Sequence, residues 1–150
     1  MAQKLQPADG RWQTDGLPHI EVVAALIWRG DTVLVQQRPQ GVSQALAWEF
    51  PGGKIEPQET PEQALQRECL EELGVLAAVG PRAWEVAHAY PEKHIRLRLY
   101  HATVAYDAEV VCRQAKRLAW LLPTDLQAER FCAADAPMVA ALRRGELRAP

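Results

Sequence analysis

The chain of 150 residues is 48% hydrophobic and 24% charged, the profile of an ordinary globular domain with a core of its own. Its formal net charge of -2 provides no basic surface for duplex nucleic acid, so a small diffusible anion is the more natural ligand. No segment has the length and apolarity of a membrane span, and the first residues lack the apolar region of a signal peptide. The widely spaced Cys69, Cys112 and Cys132 indicate neither a disulfide framework nor a zinc site. These features predict a soluble, cytoplasmic protein without membrane partners.

Residues 1–18 mix proline, glycine and polar residues without periodicity and predict an N-terminal tail. Residues 19–150 contain no repeat or linker and are expected to form a single domain. Apolar runs and alternation predict strands at 20–28, 32–37, 47–50, 84–89, 95–106 and 118–122. A short helix is expected to open at Pro123, and a longer one to follow Asp135 as far as about residue 144.

The strongest local signal is a helix at Pro61–Leu73. Thr60 is a suitable N-cap, and Gln63 can complete a capping box with it. Pro61 then occupies the first helical position, where its missing N–H costs nothing, and Gly74 can adopt the left-handed conformation that ends a helix.

Three carboxylates, Glu68, Glu71 and Glu72, fall on one face of this helix, separate from its apolar stripe. Like charges at these spacings repel, so a compensating cation is expected. Oxygen ligands without cysteine or histidine suit Mg2+ or Mn2+ better than zinc. A solvated acidic face is the alternative, but Arg67 and the Gly52-Gly53 turn lie where a site for metal and phosphate needs them.

The same stretch resembles the Nudix box, in which a glycine, a glutamate, an Arg-Glu pair, a Glu-Glu pair and a closing glycine stand at fixed spacing. Cys69 stands where an aliphatic residue is typical, and residues 48–51 and 59–64 resemble the MutT branch. The matching residues are Gly53, Glu59, Arg67, Glu68, Cys69, Glu71, Glu72, Gly74 and Val75.

The resemblance implies an α/β (α+β) fold, a Nudix-type α/β/α sandwich with a mixed β-sheet. It also implies a Mg2+-dependent nucleoside triphosphate pyrophosphohydrolase that converts a (d)NTP, including oxidised dGTP or CTP-type substrates, to the monophosphate and pyrophosphate. Two alternatives remain open. One is a Nudix hydrolase of another linkage, such as an RNA 5′-triphosphate end, a dinucleoside polyphosphate or a nucleotide sugar. The other is a non-catalytic nucleotide-binding domain.

The resemblance also implies roles for individual residues. The carbonyl of Gly52 would join Glu68, Glu71 and Glu72 around the metal, and which glutamate acts as general base is left open. Arg67, paired with Glu59, would position these carboxylates as part of the catalytic set.

Substrate binding is expected at Arg38, Phe50, Lys54 and Asp135. Arg38 would grip phosphate with its guanidinium fork, and Lys54 would place a point charge near the polyphosphate.

Asp135 matches a position that contacts the base in the MutT branch, although a helix cap is an equal alternative. An ionised aspartate only accepts hydrogen bonds, so it would favour bases that offer donors. Gln114 stands where many relatives carry a further glutamate, and an amide cannot serve as a general base.

Overall fold

A computed structural model describes residues 16–150 of the chain. The predicted tail therefore lies outside the described residues except for residues 16–18. The elements of the described part, in chain order, are β1 (His19–Arg29), β2 (Thr32–Gln37), β3 (Trp48–Glu49), β4 (Gly52–Lys54), α1 (Pro61–Leu73), β5 (Ala78–Tyr90), β6 (Lys93–Thr103), β7 (Arg117–Leu121), 3-10 turns at Pro123–Asp125 and Ala128–Arg130, and α2 (Ala136–Arg143).

Strand β1 is the centre of a mixed sheet. It runs parallel to β6 along nearly its whole length and pairs antiparallel with β4. Strand β5 extends the sheet antiparallel to β6. Strand β2 leaves β1 after two paired positions and pairs antiparallel with β3 and β7. The mixed β-sheet predicted from the sequence is thus confirmed.

The two helices cover opposite faces of this sheet. Residues 23, 25 and 27 of β1 point to one face and pack against α1, through Leu65, Cys69 and Leu73. The intervening residues 24 and 26 point to the other face, where Met138 and Leu142 of α2 complete a second core. Because strand side chains alternate between faces, β1 supplies both cores, and the α/β/α sandwich follows.

Helix α1 has the predicted bounds and the predicted ends. Gln63 N donates to Thr60 Oγ1 over 3.1 Å, and Thr60 N donates to Gln63 Oε1 over 2.9 Å, which forms the capping box. Gly74 ends the helix at φ 66°. Local chemistry therefore fixes where the carboxylate-bearing helix begins and stops.

The sequence was less informative about the β5–β6 pair. Strand β5 begins at Ala78, six residues before the predicted start at Trp84, and β6 ends at Thr103 rather than at residue 106. Pro81 lies inside β5 and cannot donate to the ladder. The β5–β6 register shifts between Val79 and Trp84, so a bulge accommodates a residue that normally breaks a strand.

Within residues 16–150, the helices are all too short and too polar to cross a bilayer.

Candidate active site

A cavity of about 350 Å³ opens between the sheet, the glycine turn and the start of α2. Its volume lies within the range of small-molecule sites. Six of the residues singled out from the sequence line it: Arg38, Phe50, Gly52, Lys54, Glu72 and Asp135. The remaining predicted residues, Glu59, Arg67, Glu68 and Glu71, lie beside it on α1 and on the loop that precedes this helix.

The glycine turn packs more closely than any side chain would allow. A Cβ on Gly52 would lie 2.0 Å from the carbonyl oxygen of Val23, and a Cβ on Gly53 would lie 2.3 Å from Oε1 of Glu68. Gly52 N also donates to Glu72 Oε2 over 3.1 Å. The turn is therefore pressed between β1 and the carboxylates of α1, which explains why both positions are glycine.

Two of the three glutamates on α1 are perturbed by their surroundings. Burial, with the neighbouring Glu68 as the next cause, raises the pKa of Glu72 from 4.5 to about 8. Burial also raises the pKa of Glu68, although Arg67 opposes this shift. Two adjacent carboxylates that resist ionisation are the electrostatic signature of a site that a cation would complete.

These oxygens fit the predicted magnesium ion in chemistry, because Mg2+ prefers carboxylate and carbonyl ligands. Glu71 lies further out, with a half-exposed side chain, 3.4 Å from Arg67. In the described part of the chain, the three glutamates do not form a group with ligand atoms within 4.8 Å of one another. Glu68 and Glu72 are the more enclosed members of the set, whereas Glu71 is exposed.

Arg67 holds the carboxylates in place. Its guanidinium donates to Glu59 over 2.8 and 2.9 Å, to Glu68 over 2.8 Å and to the Lys54 carbonyl over 3.0 Å. These bonds to Arg67 lower the pKa of Glu59 from 4.5 to about 2. The arginine links the glycine turn, the loop before α1 and Glu68, which is the arrangement that a positioning role for the Arg67–Glu59 pair requires.

Asp135 stands at the start of α2 but does not cap it. Its side chain makes no capping hydrogen bond, and it lines the cavity while only 6% exposed. Burial, and then the charge of Glu49, raise the pKa of Asp135 well above its usual value. The helix-cap interpretation therefore lacks its defining contact. The raised pKa counts against the premise that Asp135 is an ionised acceptor, and a protonated carboxyl would both donate and accept.

Arg38 lines the cavity with its guanidinium already engaged. Its Nε donates to the Ser43 carbonyl over 2.8 Å, and one terminal nitrogen lies 3.2 Å from Glu49 Oε2. A phosphate contact by Arg38 stays a prediction, and it would have to compete with these bonds. Phe50 is only 3% exposed and packs 5.7 Å from the ring of Phe131, so most of its surface belongs to the core.

Gln36, which had no role assigned from the sequence, connects Glu49 at the cavity to Glu72 on α1. It is 4% exposed, and its Nε2 lies 3.4 Å from Glu49 Oε1 and 3.3 Å from Glu72 Oε2. The available signal was the pair of glutamines that ends the apolar run of β2. Gln114, by contrast, is exposed and does not line the cavity.

Similarity to known proteins agrees with this architecture. Residues 22–141 match the family described as the NUDIX domain. A CTP pyrophosphohydrolase of Escherichia coli strain K12 is 37% identical over 122 residues, which cover 81% of this chain and 90% of the relative. An 8-oxo-dGTP diphosphatase of the same strain is 31% identical over 112 residues, which cover 75% of this chain and 86% of the relative.

A solved structure extends the likeness to three dimensions. The solution structure of MutT, a Nudix hydrolase from methicillin-resistant Staphylococcus aureus 252, has a TM-score of 0.69 and 32% identity, covering 86% of this chain and 98% of that one. The family match spans most of the sheet and both helices, including the glycine turn and the acidic face of α1. The chain therefore belongs to the Nudix family and is a MutT-like Nudix hydrolase.

Proposed function

We propose that the protein hydrolyses a nucleoside triphosphate to the monophosphate and pyrophosphate, with Mg2+ as the cofactor and Mn2+ as a possible substitute. The observation that supports this proposal is that a single cavity is lined by two chemically different groups of residues. The glycine turn and Glu72 suit a polyphosphate with its metal, and the partly buried Glu49 together with the buried Asp135 suits a polar base edge. Both halves of a nucleotide thus find matching chemistry in one place.

Glu68, Glu71, Glu72 and the carbonyl of Gly52 would hold the ion. When bound, it neutralises phosphate charge, orients the substrate and lowers the pKa of the attacking water. Arg67 keeps Glu68 in position through its 2.8 Å hydrogen bond. The exposed Lys54 lines the cavity beside the glycine turn, where its ammonium group would attract the polyphosphate.

The base is proposed to lie against Asp135 and Glu49. The two relatives are named for CTP and 8-oxo-dGTP, and both of those bases present N–H donors. Glu49 offers a carboxylate towards such donors. An ionised Asp135 would repel a carbonyl acceptor such as O4 of uracil, whereas a protonated Asp135 can donate to it. We therefore expect UTP to be disfavoured only above the raised pKa of this group. We accordingly propose CTP or a guanine triphosphate as the substrate, in a cytoplasmic setting.

The test is a turnover assay that identifies the products released from CTP, dGTP and 8-oxo-dGTP with Mg2+. Glu72→Gln and Glu71→Gln are compared with Glu62→Gln, because Glu62 is an exposed acid in the first turn of the same helix. Wild type and Glu62→Gln should release pyrophosphate and monophosphate, whereas the other two variants should lose at least about a hundredfold in kcat.

Each alternative predicts a different result. Release of orthophosphate, or turnover confined to RNA 5′-triphosphate ends, dinucleoside polyphosphates or nucleotide sugars, would assign the protein to another linkage. Nucleotide binding without turnover would make it a binding domain. Undiminished kcat in Glu72→Gln and Glu71→Gln would overturn the metal assignment.

A further inference from the structure

A second group of potential metal ligands lies in the cavity, apart from the three glutamates of α1. One ligand atom each from Glu49, Cys132 and Asp135 lie within 4.8 Å of one another. Cys132 Sγ is 3.9 Å from Glu49 Oε2. A tetrahedral zinc ion with bonds of about 2.3 Å to sulfur and about 2.0 Å to oxygen separates these atoms by about 3.5 Å. Cys132 and Glu49 therefore need to approach by about 0.4 Å, and the other two pairs by no more than about 1.5 Å.

Asp135 supplies an independent indication that a ligand belongs here. It is only 6% exposed, it lines the cavity, and no hydrogen bond to its carboxyl group is present among residues 16–150. Because native proteins pair nearly all of their buried polar groups, a carboxyl group that lacks such a bond and lines a cavity is available to a ligand that enters the cavity.

A divalent cation would balance the charge of the cluster once its three groups have lost their protons. With both carboxyls and the thiol deprotonated, the cluster carries three negative charges, and Arg38, 3.2 Å from Glu49 Oε2, supplies one positive charge. A divalent ion supplies the remaining two. A thiolate among the ligands selects zinc and similar ions over Mg2+, which prefers oxygen alone.

We propose that Glu49, Cys132 and Asp135 form a Zn2+ site with a fourth coordination position open to the cavity. On binding, the thiol proton of Cys132 and the carboxyl proton of Asp135 pass to solvent, and sulfur and oxygen bond to the ion. The protons are held until then, because burial raises the pKa of Cys132 to about 12. The spacing of the cysteines did not indicate this site, because its ligands come from β3 and from the segment before α2.

The site has a consequence that rests on the proposed function. Zn2+ at these residues would occupy the part of the cavity assigned to the base, so it would compete with nucleotide while leaving the α1 carboxylates free. Inhibition should therefore appear in KM rather than in kcat.

The binding test uses the full chain, free of metal and nucleotide. Cd2+ serves as the probe because cadmium bound to a thiolate gives an ultraviolet charge-transfer band, and Zn2+ binding is followed by equilibrium dialysis. Cys132→Ser and Asp135→Asn are compared with Cys112→Ser, whose thiol is exposed and lies outside the cavity. Far-ultraviolet circular dichroism confirms that each variant is folded.

Wild type and Cys112→Ser should show the cadmium band and bind one Zn2+, with release of the Cys132 thiol proton on binding. Cys132→Ser should lose the band, and Asp135→Asn should weaken Zn2+ by at least about tenfold. Retention of the band in Cys132→Ser, its loss in Cys112→Ser, or unchanged Zn2+ affinity in Asp135→Asn would overturn the site. Zn2+ binding that leaves KM for nucleotide unchanged would keep the site and refute the placement of the base.

Discussion

Replacing Glu72 by glutamine should make the metal-free protein more stable, and increasingly so as the pH rises. The pKa of Glu72 is raised from 4.5 to about 8 on folding. Between these values the folded chain binds more protons than the unfolded chain, so the free energy of unfolding falls with increasing pH. A difference of one bound proton lowers the free energy of unfolding by about 1.4 kcal/mol per pH unit. Glu72 alone should therefore lower the free energy of unfolding by about 2 kcal/mol between pH 5 and pH 7. Glutamine has no such proton but can still accept from Gly52 N.

Urea unfolding in EDTA at pH 5 and pH 7 measures this effect. Wild type and Glu72→Gln should be nearly equal in stability at pH 5, and the variant should be more stable by about 2 kcal/mol at pH 7. Glu62→Gln is the matched control, and its pH dependence should follow the wild type. Equal pH slopes for wild type and Glu72→Gln would refute the argument that burial and Glu68 make ionised Glu72 unfavourable.

Three further predictions concern the cavity. Gln36→Met removes the amide between Glu49 and Glu72 and should weaken Mn2+ binding by about tenfold, as measured by electron paramagnetic resonance. Gln37→Met, on the same strand, should leave Mn2+ binding unchanged. Equal losses of Mn2+ affinity in the two variants would deny Gln36 a positioning role. Gly53→Ala must displace the Glu68 carboxylate and should lower both Mn2+ affinity and kcat with cooperative unfolding retained. Gly80→Ala, whose Cβ would lie 3.2 Å from the His101 carbonyl oxygen and away from the carboxylates, should leave Mn2+ affinity unchanged. Normal kcat in Gly53→Ala would contradict the close packing. The ratio of kcat/KM for CTP to that for UTP should rise with pH in the wild type and stay flat in Asp135→Asn, because deprotonation removes the donor; a flat wild-type ratio would take Asp135 out of base selection.

The parts of the fold that follow from neighbouring residues were predictable from the sequence. Thr60, Pro61 and Gly74 fix α1 through contacts within a few residues, so its bounds are confirmed. The predicted start of β5 was wrong because Pro81 lies within the strand only by means of a bulge, and this bulge depends on the pairing with β6. The sequence around Pro81 indicates a residue that normally breaks strands, but it does not indicate the bulge that allows Pro81 to lie within β5.

The candidate site likewise has one part that could be predicted from the sequence and one part that could not. The acidic face of α1 lies within a single helix, so it could be predicted from the helical period of the sequence. The contact between Gln36 and Glu49 depends on the pairing of β2 with β3, and Cys132 meets Glu49 from 83 positions away. The protonation of Asp135 depends on burial by residues distant in sequence. The spacing of residues along the chain does not indicate which distant residues come into contact.

The two ends of α1 differ in what holds them. The first turn is closed by its own capping box, but α1 carries no basic residue in its last turn. Its final carbonyls instead accept hydrogen bonds from a distant segment: Val111 N donates to Leu73, Arg113 N to Glu72, and the Arg113 guanidinium to Leu70. Without that segment the last turn would fray first, since isolated helices of this length are marginal in water. Amide hydrogen exchange in the last turn of α1 should therefore follow the docking of residues 111–113, so the carboxylates of that turn are ordered by tertiary structure and not by the helix itself.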